Sequence, residues 1–308
     1  MPDAFKIKEN KKNDSFASLS EKRLGGTMDS RIKGTTKLLG LIGSPVGHSG
    51  SPAMHNYGFQ ALDIDAAYLA FDIKEEQVKD AISAVRTLNM KGINVTMPCK
   101  TEAAKYMDEL SPAARLIGAV NTIVNRDGKL YGHITDGEGF VANLNDHGVE
   151  VQGKDIVIFG AGGAATAILV QCALDDAKEI TVINPRDDFF GRAEEMHKKL
   201  RVEAPDCKIS LIDLADQEAV KKAVLKTDIL VNGTLLGMKP KEDTSVIQDT
   251  SLFHEGMVVA DVVYNPKETK LLKDAKAAGC KTVQGDGMLL WQGVAAFKIG
   301  RASCRERV

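Results

Sequence analysis

From about Lys37 onward, short runs of apolar and β-branched residues alternate with longer stretches of helical spacing, the pattern of a parallel α/β protein. KLLGLIG reads as a strand, SPAMHNYGFQAL as a helix opening after Ser51, AAYLAFDI as a strand, EEQVKDAISAVRTL as an amphipathic helix and GINVT as the next strand. Pro98 ends that strand, because proline brings no N–H to the ladder and restricts the residue before it. Two extended pieces around NRDG predict a hairpin. A helix over 137–147 then bridges to a second unit, which places a domain boundary within 135–153.

The second unit opens on KDIVIFGAGGAATAILVQCAL: a buried strand, a glycine turn and a helix packed with alanines. Repeated β–α pairs follow, with strands at EITVIN, KISLIDL, DILVNGT and GMVVADVVY and helices over 188–204, 216–226 and 269–278. The predicted organisation is a first α/β domain over 28–136, a nucleotide-binding domain over 137–287 and a helix over 288–298 returning to the first. The ends depart from this pattern. Residues 1–27 are polar, lysine-rich and aperiodic, so disorder is expected there, with Met28 a candidate natural start. IGRASCRERV interrupts the amphipathic helix and reads like the in-frame translation of a sequencing adapter, so 299–308 is expected to be a non-native tail.

Composition narrows the function classes. The 308 residues are 44% apolar and 27% charged, the balance of an ordinary soluble globular protein with room for two domains. A formal charge of -2 supplies no net basic field for nucleic acid or an anionic membrane. Cys99, Cys172, Cys207, Cys280 and Cys304 form no CxxC pair and no pattern with histidine, which indicates neither zinc nor a disulfide framework and fits a reducing, cytoplasmic compartment. No apolar run reaches the roughly 18 residues of a membrane span, and the N-terminus lacks the apolar core of a signal peptide.

Three places carry candidate chemistry. GAGGAA, Gly160 to Ala165, lies between a strand and a helix, where a dinucleotide-binding fingerprint must lie. Gly160 permits the tight turn, Gly162 lets the backbone approach a pyrophosphate, and Ala165 takes the third small position. At the end of the following strand, INPRDDFFGR sends mixed signals: Asp187 or Asp188 would accept from ribose hydroxyls and repel a 2′-phosphate, whereas Arg186 or Arg192 would pair with one. NAD is favoured through Asp187, with NADP as the alternative.

In the first unit, Ser49 and Ser51 stand at a helix start, where they serve either as caps or as hydroxyls for a small carboxylate; His48 and His55 read as structural. Lys100 and Asp136 each follow a predicted strand end, and ligands of α/β proteins bind outside such ends. Either is an ordinary surface charge alone, but a lysine beside a carboxylate can exchange a proton with an alcohol. Asn121 and Gln292 are amides in apolar surroundings and need partners if buried, either backbone groups or a polyhydroxylated ligand.

Taken in order, GSPVGHSGSPAMHN, GINVTMPCK, GAVNTIV, GHITDGEGF, FGAGGAATA, DVVYNP..T..L and GMLLWQG..AF resemble the shikimate dehydrogenase family, especially its quinate/shikimate branch, from about Gly40 to Phe297. The resemblance implies an N-terminal α/β substrate-binding domain and a C-terminal Rossmann NAD(P)-binding domain with the active site in the cleft between them. It implies that Ser49 and Ser51, helped by Tyr264, hold the substrate carboxylate, and that Thr96, Asn121, Asp136 and Gln292 bind ring hydroxyls. Lys100 would exchange the proton of the reacting C3 hydroxyl with Asp136 orienting it, so no metal is expected. Gly160, Ala161, Gly162, Gly163 and Ala164 would meet the pyrophosphate, Asn184, Arg186 and Asp187 the adenosine end, and Gly285 would also border the cofactor. The implied partner is a small molecule, shikimate or quinate; oligomeric state stays open, with a homodimer among the options.

Three departures from the family pattern qualify this. Ile134 stands where an asparagine is usual, removing a polar contact near Asp136. NPRDD replaces the Asn-Arg-Thr/Ser signature of the NADP-preferring branch. The family's last helix, which packs on the first domain, has no counterpart after Phe297, so exposed apolar surface is expected on that domain. Two competing classes are a non-catalytic sensor on the same fold, disfavoured by the presence of both Lys100 and Asp136, and another nucleotide-linked enzyme, disfavoured by the paired serines of HSGSP.

Overall fold

The structure, a computed structural model, describes residues 32–305. The expectations for 1–27 lie outside these residues. Two six-stranded sheets organise the chain. The first contains β1 (Lys37–Gly43), β2 (Ala66–Asp72), β3 (Gly92–Val95), β4 (Glu109–Leu110), β5 (Thr122–Arg126) and β6 (Lys129–His133), in the order β2-β1-β3-β5-β6-β4. It is parallel except for β5, which runs against β3 and β6. The NRDG turn accounts for the exception: Asp127 at φ 53° and Gly128 at φ 90° supply the two positive-φ positions of a tight hairpin, which only an antiparallel pair can use.

The second sheet is parallel throughout. It contains β7 (Asp155–Phe159), β8 (Glu179–Asn184), β9 (Lys208–Asp213), β10 (Ile229–Asn232), β11 (Val258–Asp261) and β12 (Lys281–Val283), in the order β12-β11-β10-β7-β8-β9. The order reverses between β7 and β10, and a doubly wound sheet binds its ligand outside the carboxyl ends at such a switch point.

Helices pack on these sheets through apolar faces at helical spacing. On the first unit lie α1 (Ser51–Ala61), α2 (Val78–Thr87), α3 (Lys100–Ala104) and α4 (Pro112–Ile117). In α2 the buried residues are Val78, Ile82 and Val85, one stripe of an amphipathic helix. The bridging helix α5 (Asp136–Asp146) is followed by α6 (Gly163–Leu174), α7 (Asp188–Glu203), α8 (Gln217–Val224), α9 (Lys270–Ala277) and the closing α10 (Gly285–Arg305). The short elements β4, β12, α3 and α4 carry too few residues for a readable period, and none was predicted.

Between the sheets, α5 and α10 cross at close range. A Cβ on Gly139 would stand 2.5 Å from the Gln292 nitrogen, and Gly137 meets the Ala167 carbonyl of α6 equally tightly. The Asn143 amide donates to the Gln284 carbonyl at 2.8 Å, fixing the entry to α10. One apolar core runs across this junction, from Ile42, Val95 and Ile123 through Phe140 and Leu144 to Ile156 and Ile168.

The helix over 288–298 is corrected at both ends, since α10 begins at Gly285 and its backbone continues to Arg305. IGRASCR therefore extends the helix instead of interrupting it, because those residues contain no proline and the loss of an apolar stripe does not by itself break backbone hydrogen bonding. Against the first sheet, Leu39, Tyr68, Ile93 and Ile123 border an apolar groove of about 240 Å³ together with Phe59 of α1 and Phe297 of α10.

Candidate functional site

The turn between β3 and α3 answers why a cation follows the strand GINVT. Backbone bonds from Thr96 N to the Ile42 carbonyl and from Val120 N to the Lys100 carbonyl brace it on both sides. Lys100 opens α3 and Asp136 opens α5, and the Lys100 ammonium donates to Asp136 Oδ2 at 2.6 Å. Their side chains keep 27% and 21% of their exposure, so the pair is sheltered yet reachable. Ile134 sits in the apolar core at 5% exposure, which leaves that side of Asp136 without a polar neighbour from position 134.

A cleft of about 720 Å³ opens beside this pair. Its walls bring together Ser49, Ser51, Thr96, Lys100, Asn121 and Asp136 from the first unit with Tyr264 and Gln292 from the second half of the chain. Ala164 and Gly285 border the same space, so the helix after the glycine turn begins at its edge. Every residue proposed for catalysis or substrate contact thus lines one volume, although the positions span from 49 to 292.

Local geometry prepares each group. Ser51 is the first residue of α1, after the N-cap Gly50, and its N–H donates to Ser49 Oγ at 3.2 Å. Ser49 Oγ thus takes up the first N–H of α1, while no side-chain bond of Ser51 to the helix backbone is seen among the described residues. Asn121, 4% exposed, has its Oδ1 occupied by Thr122 Oγ1 and Thr135 N, while one Nδ2 hydrogen goes to Thr135 Oγ1. An amide has two such hydrogens, and the second is left for the cleft. Thr135 also donates to the Gln292 carbonyl at 3.0 Å, which holds α10 against the start of α5.

Sequence reasoning missed Asn94, which lines the cleft beneath Asn121. It accepts from the Tyr68 hydroxyl at 2.7 Å and donates to the Asn121 carbonyl and Thr122 Oγ1, both at 3.1 Å. The available signal was an asparagine in the middle of an apolar strand, a position that disfavours it unless it is paired. His55 also borders the cleft, but its ring stacks on Tyr68 at 4.4 Å, and burial lowers its pKa to about 4. It packs as a neutral ring.

The nucleotide end is built differently. Gly160 has φ 101°, and a Cβ there would press on Thr234 and the Gly233 carbonyl, so glycine is required. Gly162 and Gly163 face open space, and the N-cap of α6 makes no side-chain bond. The first N–H groups of α6 are therefore left for an anion, with no Cβ in its way. This fits a pyrophosphate against Gly160, Ala161, Gly162, Gly163 and Ala164.

At the end of β8, Asp187 caps α7: its Oδ1 accepts from Asn184 Nδ2 and from the N–H groups of Phe189 and Phe190. Among the described residues Oδ2 takes no partner. Arg186 pairs with Asp213 at 3.2 Å and lies over the Phe190 ring at 4.9 Å, while Arg192 lies over Phe189. Asp187 thus serves the helix with one oxygen and keeps the other.

Known proteins resemble this chain over most of its length. The family profile for the shikimate dehydrogenase substrate binding domain matches residues 41–123. The NADP(+) shikimate dehydrogenase of Listeria monocytogenes serotype 4b is 47% identical over 269 residues, 87% of this chain and 92% of that protein. A quinate/shikimate dehydrogenase of Escherichia coli is 46% identical over 263 residues, covering 85% of this chain and 91% of its own length. The crystal structure of Shikimate 5-dehydrogenase from Listeria monocytogenes in complex with shikimate and NAD superposes with a TM-score of 0.86 at 47% identity, covering 88% of this chain and 94% of that one. With such identity sustained over nearly the full length of both partners, the chain belongs to the shikimate dehydrogenase family.

Proposed function

We propose that this protein catalyses the reversible NAD(P)-dependent oxidation of the C3 hydroxyl of shikimate to 3-dehydroshikimate, and that quinate, giving 3-dehydroquinate, is the second substrate to test. The observation that carries this reading is the Lys100–Asp136 pair, 2.6 Å apart, on the wall of a cleft that also reaches the start of the nucleotide-binding helix. Ser49, Ser51 and Tyr264 bind the carboxylate, and Thr96, Asn121 and Gln292 bind the ring hydroxyls. Lys100 accepts the C3 hydroxyl proton during oxidation and returns it during reduction; Asp136 holds the amine toward that oxygen. The bound nicotinamide cofactor supplies the hydride acceptor or donor. In this reading 28–136 is the substrate domain and 137–287 the cofactor domain.

NAD is the favoured cofactor. Arg186 is already engaged by Asp213, and an added 2′-phosphate would meet the remaining oxygen of the Asp187 carboxylate. The Listeria complex with shikimate and NAD supports this, whereas the NADP(+) in its curated relative's name keeps the other cofactor in the comparison. A reducing cytoplasm suits the free, buried Cys99, Cys172, Cys207 and Cys280. Initial rates for shikimate and quinate, each with NAD and NADP, test the whole proposal. Shikimate with NAD is expected to give the highest kcat/KM, and no turnover in any of the four combinations would refute the function.

A further inference from the structure

The motif DVVYNP..T..L contributes Tyr264 to the cleft, yet its first and ninth residues, Asp261 and Thr269, touch no part of it. Both are almost completely buried, at 2% and 1% exposure. A carboxylate in such a place costs stability unless hydrogen bonds surround it. Asp261 Oδ1 accepts from Asn232 Nδ2 and from Val263 N, each at 2.9 Å, and Oδ2 accepts from Thr269 Oγ1 at 2.7 Å.

These three donors belong to three segments with different tasks. Val263 immediately precedes Tyr264. Asn232 ends β10, and its Oδ1 accepts from Thr234 N and Thr234 Oγ1, setting the loop of Gly233 and Thr234. That loop is what Gly160 packs against: a Cβ at Gly160 would lie 2.9 Å from Thr234 Cγ2. Thr269 caps α9, accepting from Leu272 N. The loop after β11 also abuts Gly285 at the head of α10, where a Cβ would lie 2.7 Å from the Val262 and Val263 carbonyls.

We infer that Asp261 is a positioning residue that sets the Tyr264 loop and the backing of the glycine turn together, so that one buried carboxylate tunes substrate and cofactor binding while touching neither ligand. The inference rests on the reading above that Tyr264 and the glycine turn serve the substrate and the cofactor. Asp261→Asn keeps one oxygen for Val263 N and Asn232 Nδ2 but turns an N–H toward Thr269 Oγ1, so the tie to α9 is lost and the hub shifts, and small misplacements of binding groups weaken both ligands.

The test measures KM for shikimate, KM for NAD, kcat and melting temperature in wild type, Asp261→Asn, Thr269→Val and Thr269→Ser. Asp261→Asn is expected to raise both KM values by about tenfold, with a smaller change in kcat. Thr269→Val, which removes the donor to Oδ2 and the cap on Leu272 N but leaves the bonds from Val263 N and Asn232 Nδ2, is expected to raise both by a smaller factor, and Thr269→Ser to restore them. A lowered melting temperature with both KM values at the wild-type level would show a purely structural role and overturn the inference. So would an effect on one ligand alone. If Asp261→Asn does not fold, the Thr269 pair decides by the same criteria. Loss of turnover in wild type would instead refute the dehydrogenase reading itself, so the two failures are distinguishable.

Discussion

Lys100 shows how little chemistry a residue owns by itself. An isolated surface lysine has no reason to exchange protons with an alcohol; a sheltered amine held 2.6 Å from a carboxylate and facing a cleft does. Lys100→Ala is expected to lower kcat by about 10²–10⁴-fold, the usual share of a general acid–base group, while KM for shikimate changes by much less, as steady-state kinetics will show. Two other buried residues make stability depend on pH in opposite senses. Burial lowers His55 from 6.5 to about 4, so its contribution is complete above pH 6.5 and is lost as pH falls through about 4. Burial raises Asp261 from 3.8 to about 6, so its contribution is present below pH 3.8 and is lost as pH rises through about 6. Each shift corresponds to roughly 3 kcal/mol between its limits. His55→Phe keeps an aromatic ring against Tyr68 and removes the titration. Its melting temperature is expected to fall less than that of wild type between pH 6.5 and 4.5; parallel curves would remove His55 from the account.

At the scale of elements, one helix start carries a double duty and one helix crossing depends on a glycine. Asp187 caps α7 through Oδ1 and offers Oδ2 outward, and two substitutions separate these functions. Asp187→Ser keeps a capping oxygen but removes the charge, so it is expected to leave the melting temperature near that of wild type while shifting the kcat/KM ratio from NAD toward NADP. Asp187→Ala loses the cap as well and is expected to cost about 1 kcal/mol in a denaturant titration. The α5–α10 crossing depends on a residue without a side chain. Gly139→Ala puts a methyl group 2.5 Å from the Gln292 nitrogen, and α10 must move or the helices must separate. The expected result is a loss of about 1–3 kcal/mol, together with a raised KM for shikimate because Gln292 is displaced.

For the whole molecule, the governing fact is that the site belongs to no single sheet. Lys100 and Asp136 follow the carboxyl ends of β3 and β6 in the first, Tyr264 follows the carboxyl end of β11 in the second, and Gln292 comes from the helix that returns across the junction. Ligand binding must therefore stabilise the assembly as a unit. Shikimate at about 100 times its Kd is expected to stabilise the native state by about 2.7 kcal/mol, visible as a rise of a few degrees in melting temperature. Lys100→Ala is expected to retain much of this rise while losing turnover, which separates holding the substrate from transforming it. A variant that shows neither a rise nor turnover would place Lys100 in binding instead.

Much of this was legible in one dimension. Alternating apolar runs marked the strands, NRDG marked the hairpin, and the glycine turn between a strand and a helix announced a nucleotide site, because each depends on interactions within a few residues. Asp136, Asn121 and Tyr264 could be nominated from motifs, but only three-dimensional packing brought them to one volume and showed which of their atoms are already used. Asn94 and the buried Asp261 hub escaped notice for the same reason: their partners, among them Tyr68 and Asn232, lie 26 and 29 positions away. The short elements followed from neighbours as well. Local propensity acts along the chain, whereas burial, pairing and hydrogen-bond saturation are properties of the surroundings, and the surroundings exist only once the chain has closed on itself.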